Sequence, residues 1–311
     1  MSLIEKAVQR LDALKQAAGQ GEPPDEQPGA APVHADDAAG ARSSSAVPAA
    51  SPAPAPNPTV SRTVNIDLAR LAHLGMVTPE RPRSVIAEEY RVIKRPLLRN
   101  AIGAGAAEIR NGNLIMVTSA LPGEGKSFNA INLAISIAME LDYTVLLVDA
   151  DVSRPSILSR LGLPPERGLM DVLAGDVSDL GDVLLRTNIE KLAILPAGMP
   201  HQRATELLAS ESMNRLLEQI AKRYPDRIVV FDSPPLLVTT EARVLASHMG
   251  QVVIVVEAER TTHGAVRQAL ATIESCPVKL MLLNKTRERG TAAYYGYGYG
   301  YGHAETRSEA A

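Results

Sequence analysis

The sequence predicts an α/β protein in which a mostly parallel sheet carries helices on both faces. Three observations predict it. Short, nearly continuous apolar runs recur at Asn113–Thr118, Thr144–Asp149, Leu192–Leu195, Arg227–Asp232, Gln251–Val256 and Lys279–Asn284. Helical patterns separate them, and strands apolar on both faces that alternate with helices belong to parallel sheets covered on both sides. A glycine-rich turn, Ala120-Leu-Pro-Gly-Glu-Gly-Lys-Ser127, joins the first run to a helix, the setting in which such a loop cradles phosphate.

Taken in chain order, residues 2–18 have Leu3, Ile4, Ala7, Val8, Leu11, Leu14 and Ala18 at helical spacing, with charges on the other face. They are expected to form an amphipathic docking helix. Residues 19–60 contain nine prolines among Ala, Gly and Ser. Such a composition buries too little surface to offset chain entropy, so a disordered linker is expected. Structure resumes at residue 61, where Ile66, Leu68, Leu71 and Leu74 lie on one helical stripe. Ser84 is placed to cap a helix through Ala87–Lys94. Further helices are expected over Lys126–Glu140, Glu206–Arg223 and Ala265–Glu274. These elements define a domain over residues 61–290, followed by a flexible tail over 291–311.

The 311 residues are 45% hydrophobic, enough for a sizeable core. A net charge of −3 and a pI near 6.1 argue against a general nucleic-acid binder. Cys276 is the only cysteine; it precedes an apolar run and is expected to be a buried structural residue in a reducing compartment. No apolar run approaches the roughly 20 residues of a membrane-spanning helix, so a cytoplasmic protein is expected. There is no Trp, the only Phe are Phe128 and Phe231, and five of the eight Tyr fall in Tyr294-Tyr-Gly-Tyr-Gly-Tyr-Gly-Tyr301. The tail tyrosines are therefore not core material; they are phenol hydroxyls on a short Gly-spaced string.

The loop predicts chemistry. Residues Pro122, Gly123, Glu124, Gly125, Lys126, Ser127 and Phe128 would surround the phosphates of a nucleoside triphosphate, with Lys126 on the β/γ-phosphates and Ser127 on Mg²⁺. Asp149 and Asp151 end one buried run, and Asp232 ends another. In a parallel sheet the strand C-termini share one edge, so Lys126, Ser127, Asp149, Asp151 and Asp232 should converge there. A Mg²⁺ ion shared with the phosphates would relieve their mutual repulsion. The fold is accordingly P-loop NTPase-like.

The set Ala120–Ser127, Val145–Arg154 and Ile228–Asp232 resembles the bacterial tyrosine kinases of polysaccharide export, whose sheet is of the SIMIBI, MinD-like kind. Met1-Ser-Leu-Ile-Glu-Lys-Ala, Glu89-Tyr-Arg-Val-Ile-Lys-Arg-Pro-Leu-Leu98, Asp149-Ala-Asp-Val-Ser-Arg-Pro155 and the Tyr-Gly tail are similar to the exosortase-associated tyrosine autokinases of exopolysaccharide clusters. The resemblance implies an ATP- and Mg²⁺-dependent autokinase with Lys126, Asp149 and Asp151 as catalytic residues. Asp149 would activate the tyrosine hydroxyl, and Ser127, Asp151 and Asp232 would hold Mg²⁺. The family's Arg, two residues after the second Asp, falls here on Ser153, with Arg154 one step later. Asn284 would face the nucleotide. Tyr294, Tyr295, Tyr297, Tyr299 and Tyr301 would accept phosphate, in a neighbouring subunit of a ring. Glu88, Arg91 and Lys94 match the family's self-association motif, with Lys in place of its last Arg; an ordinary solvated helix face would show the same charges. A membrane chain-length protein is the implied partner and would recruit the chain to the inner face of the plasma membrane.

Two other readings compete. Positioning ATPases of the ParA or MinD type carry a signature Lys five residues before the loop Lys, where this chain has Leu121. A non-catalytic ATP-binding scaffold would have little need of the three aspartates.

Overall fold

A computed structural model describes residues 62–103, 109–223 and 227–286. The expected helix at 2–18, the linker at 19–60 and the tail at 291–311 lie outside the described residues.

The chain enters through β1 (Thr63–Val64) and α1 (Leu68–His73), capped by the Asp67 carboxylate on Arg70 N. Ser84 caps α2 (Val85–Ala101), accepting from Ala87 N. Pro96 sits inside α2 and removes one helical N–H. The helix continues because Tyr90, Leu97 and Leu98 are buried along one side. Then come β2 (Leu114–Ser119), α3 (Lys126–Ala138), β3 (Thr144–Asp149), α4 (Ile157–Leu161) and α5 (Leu169–Ala174). A short 3₁₀ turn leads to β4 (Leu185–Thr187) and β5 (Leu192–Leu195). The remainder is α6 (Ala204–Leu208), α7 (Glu211–Arg223), β6 (Arg227–Asp232), α8 (Glu241–Ala246), β7 (Gln251–Glu257), α9 (His263–Ala271) and β8 (Val278–Asn284).

Among the described residues the strands form one eight-stranded sheet, ordered β1-β4-β5-β3-β6-β2-β7-β8. Every pairing is parallel except β4 with β5. Successive residues of a strand point to opposite faces. Both faces of the inner strands β3, β6, β2 and β7 are dry, whereas β8, an edge strand expected to be covered on both sides, leaves Met281 and Leu283 exposed on one face. Met116, Leu146, Val148, Val229 and Phe231 join one core, and Ile115, Val117, Val145, Leu147, Ile228 and Val230 join the other. This is the expected α/β architecture, and its six mutually parallel strands, β5-β3-β6-β2-β7-β8, all end on one edge.

Three other expectations change. The helix expected over Glu206–Arg223 is two, α6 and α7, because Ser210 interrupts it: its hydroxyl accepts from Met213 N and donates to Leu207 O. On the stripe near residue 70, Ile66 and Leu71 are buried but Leu74 is 52% exposed, since α1 ends at His73. Lys94 does not face outward. It is buried, with its ammonium on the Ser136 carbonyl and 2.7 Å from Glu140 Oε1. Ser136 lies in the last turn of α3, where carbonyls lack helical partners and a cation is favoured. Lys94 therefore closes that helix end from within, leaving Glu88 and Arg91, paired with each other at 2.6 Å, on the outer face. Lys94→Met is expected to cost about 1–2 kcal/mol in a denaturant titration and to leave the mass in light scattering unchanged. A smaller particle at unaltered stability would mean that Lys94 contacts a neighbour instead. Cys276 is buried and free, as expected.

Candidate active site

The loop between β2 and α3 owes its shape to two glycines. Gly123 and Gly125 take φ of 86° and 101°, a region costly for residues with a Cβ. Gly125 also has no room for one: a Cβ would stand 2.1 Å from Asn284 Nδ2. Gly125 leads directly into α3, so the loop's amides and the helix N-terminus are placed together, as a phosphate requires.

Glu124 is buried and its carboxylate is engaged within the protein: Oε2 accepts from Leu121 N at 2.7 Å, and Oε1 accepts from Thr261 Oγ1. Asn284 Nδ2 donates to Glu124 O at 2.8 Å, and Lys285 Nζ donates to Gly123 O at 2.8 Å. The loop is thus strapped from behind by residues at the ends of β7 and β8. Thr261 has no motif around it and was not singled out in the sequence. Pro122 is exposed on the loop, and Phe128 is half-buried on the first turn of α3.

Lys126 and the three aspartates meet at the edge of the sheet. Lys126 Nζ donates to Asp151 Oδ2 at 2.6 Å, lies 3.9 Å from Asp232 Oδ1 and lies 3.5 Å from Ser127 Oγ. Asp149 and Asp232 are register partners on β3 and β6. Asp151 Oδ1 accepts from Arg154 N at 3.2 Å. Asp149 Oδ2 accepts from Ser156 N and Ile157 N, both at 3.0 Å, where α4 begins. Pro155-Ser156 was the local signal for that helix start.

Burial raises the Asp149 pKa to about 7, helped by the charge of Asp232. Burial likewise raises that of Asp232 to about 6, against the pull of Lys126. Asp149 Oδ1 and both carboxylate oxygens of Asp232 are buried and accept no hydrogen bond. Orphaned oxygens beside a phosphate loop fit a hard cation with oxygen ligands. Mg²⁺ takes one or two carboxylates and completes its shell with phosphate and water, a donor set that Asp232 and its neighbours fit.

A parallel sheet with a phosphate loop and aspartates at its strand ends defines a P-loop ATP-binding enzyme. A family model described as an AAA domain matches residues 112–285. The chain is 30% identical over 226 residues to tyrosine-protein kinase YwqD of Bacillus subtilis (strain 168), covering 71% of this chain and 91% of that protein. It is 32% identical over 191 residues to tyrosine-protein kinase CpsD of Streptococcus agalactiae, covering 60% and 80%. A 32% match to tyrosine-protein kinase ptk of Acinetobacter johnsonii covers only 26% of that longer protein. Among solved structures, the kinase domain of Escherichia coli tyrosine kinase ETK aligns with TM-score 0.60 at 25% identity, over 78% of this chain and 94% of that one. The chimerical protein CapA2B2 aligns with TM-score 0.60 at 28% identity, over 74% and 95%. The chain belongs to the bacterial tyrosine-protein kinases and is a protein-tyrosine kinase.

Proposed function

We propose that this kinase transfers the γ-phosphate of Mg-ATP to its own C-terminal tyrosines, Tyr294, Tyr295, Tyr297, Tyr299 and Tyr301, on a neighbouring copy in a ring. In this reading the modification regulates polymerisation and export of an exopolysaccharide. It does so with a membrane chain-length protein that holds the chain at the inner face of the plasma membrane. The exosortase-associated subgroup supplies the setting. Among the described residues, no helix is long and apolar enough to cross a membrane, consistent with recruitment by a partner.

One observation carries the acceptor assignment. The last described strand ends on the phosphate loop itself, with Asn284 and Lys285 bonded to the carbonyls of Glu124 and Gly123. Tyr294 follows Lys285 by nine residues, a reach of about 30 Å when extended. A reach of that length, measured from Lys285, includes the edge at which the phosphate loop lies, which supports the tyrosines as acceptors.

The residues divide the work. Loop amides and Lys126 would hold the β/γ-phosphates, and Ser127, Asp151 and Asp232 would hold Mg²⁺ directly or through water, where the ion would supply charge neutralisation of the phosphates. Asp149 Oδ2 is fixed by two amides, so Oδ1 has a defined direction and a free lone pair. It accepts the phenolic proton as the tyrosine oxygen bonds to the γ-phosphorus, while the bond from that phosphorus to the β–γ bridging oxygen breaks and ADP leaves with the electron pair. Glu88 and Arg91 are left to contact the neighbour.

The test is intact-mass and label analysis after incubation with labelled ATP and Mg²⁺. The native chain, a truncation after Ala293 and a chain with all five tail tyrosines changed to Phe are compared. Label on the native chain alone is expected. Label surviving truncation would overturn the assignment, and phosphate release without labelled protein would favour a positioning ATPase. Lys126→Met chains that become labelled when mixed with the native kinase would establish transfer between copies.

A further inference from the structure

Beside the loop lies a pocket that the transfer reaction does not use. Phe128, Arg70, Leu74, Met76, Ser159 and Arg160 line an open cavity of about 330 Å³. Arg70 comes from α1, Phe128 from the turn of α3 that carries Ser127, and Ser159 and Arg160 from α4, whose first amides hold Asp149. The Arg70 guanidinium lies across Gly162, where a Cβ would stand 2.2 Å from Nη1. Gly162 takes φ of 76° and closes α4, so a residue suited to the helix end also gives Arg70 its place. Arg160 Nε is 3.4 Å from Ser156 Oγ, and its charge is felt at Asp232. Among the described residues neither arginine is in an ion pair.

Two unpaired guanidinium forks suit a dianionic phosphate. The Phe128 ring, Leu74 and the Met76 thioether suit an aromatic ring beneath it. The combination selects an aryl phosphate over a bare anion or a bare ring.

We infer that this pocket binds a phosphotyrosine already formed in the Tyr294–Tyr301 tail while another tyrosine of the same tail enters the transfer site. This rests on the tail being the acceptor. Tyr295, Tyr297, Tyr299 and Tyr301 alternate with Gly, so in an extended tail they recur about every 7 Å on one side. The pocket and the transfer site share α4 and the first turn of α3. The product of one transfer would then position the next.

The test uses the full chain with all five tail tyrosines changed to Phe, saturated with Mg-ADP so that the loop is filled. Binding of the peptide Gly-phosphoTyr-Gly-Tyr-Gly, its unphosphorylated form and inorganic phosphate is measured by calorimetry. The phosphopeptide is expected to bind at least about tenfold more tightly than either control, and the Arg70→Gln/Arg160→Gln double variant to lose at least about tenfold. Both arginines are exposed, and nucleotide affinity of the variant checks its fold. With the native tail restored, the Arg70→Gln single variant, whose side chain has no link to Asp149 or Asp232, is expected to add the first phosphate at the native rate and to stall at singly phosphorylated chains by intact mass. Equal binding of the unphosphorylated peptide or of inorganic phosphate, or native affinity in the double variant, would overturn the inference. If the tail is not the acceptor, the mass assay shows no tail phosphate at all, while the binding arm still reports on the pocket.

Discussion

Lys126→Met abolishes tyrosine labelling: incorporation of labelled phosphate is expected to fall by at least about a hundredfold. The ammonium lies close to Ser127, Asp151 and Asp232 together, and Met retains most of its bulk without its charge. The same change should also weaken the fold. The side chains of Lys126, Asp151 and Asp232 are 13%, 6% and 0% exposed, so removal of the cation strands buried carboxylates. Breaking such a buried pair costs about 3–5 kcal/mol, and denaturant titration of the nucleotide-free protein would show it. The catalytic and structural losses are separable, because saturating Mg-ATP should restore much of the stability by supplying another cation, yet no labelling. Labelling within tenfold of native would remove Lys126 from the transfer step.

Asp149→Asn has the second largest expected effect, a fall in kcat of about 10²–10⁴ with nucleotide affinity little changed. Asn can keep an oxygen on Ser156 N and Ile157 N, so the geometry at the start of α4 survives. What changes is the group at Oδ1, which becomes a donor unable to take the phenolic proton. Stability should move the other way. The folded pKa of Asp149, about 7, lies above the ordinary carboxylate value near 4. Its stabilising contribution is therefore present below pH ~4 and is lost as pH rises through about 7. Asn does not titrate. In the absence of metal, the variant should melt at or above the native temperature at pH 8, and that advantage should narrow as pH falls through about 7 and close only near pH ~4. A variant that melts well below native at pH 8 would mean that the carboxylate is needed for structure instead of proton transfer.

The parts of this molecule legible in its sequence are those whose cause is local. The central strands are apolar on both faces, so they appear as unbroken runs, and Asp149 and Asp232 stand at the ends of those runs. Parallel pairing then carries them to one edge without further information. β1 and β4 were invisible for the opposite reason. With two and three residues they have no periodicity. The approach of β1 is held by Asn188, whose side chain accepts from Ile66 N and donates to Ile66 O across 122 residues of sequence. Lys94 reads as one more charge on a polar helix face; only the end of α3 beneath it gives the ammonium an inward target. Glu124 has the same character: its place in the phosphate loop says nothing of its carboxylate, which Thr261, 137 positions away, engages. Arg70 and Arg160 are unremarkable in sequence because their pocket is assembled from α1, α3 and α4.

The strap behind the loop acts through the peptide bonds themselves. Lys285 draws electron density from the Gly123 carbonyl, and Asn284 draws it from that of Glu124. An amide whose oxygen is so engaged becomes a better donor at its nitrogen, by about 10–30% per bond. The two nitrogens concerned belong to Glu124 and Gly125, on the loop proposed to receive phosphate. In that reading Asn284 and Lys285 would strengthen anion binding from behind, by polarising the amides that face the anion.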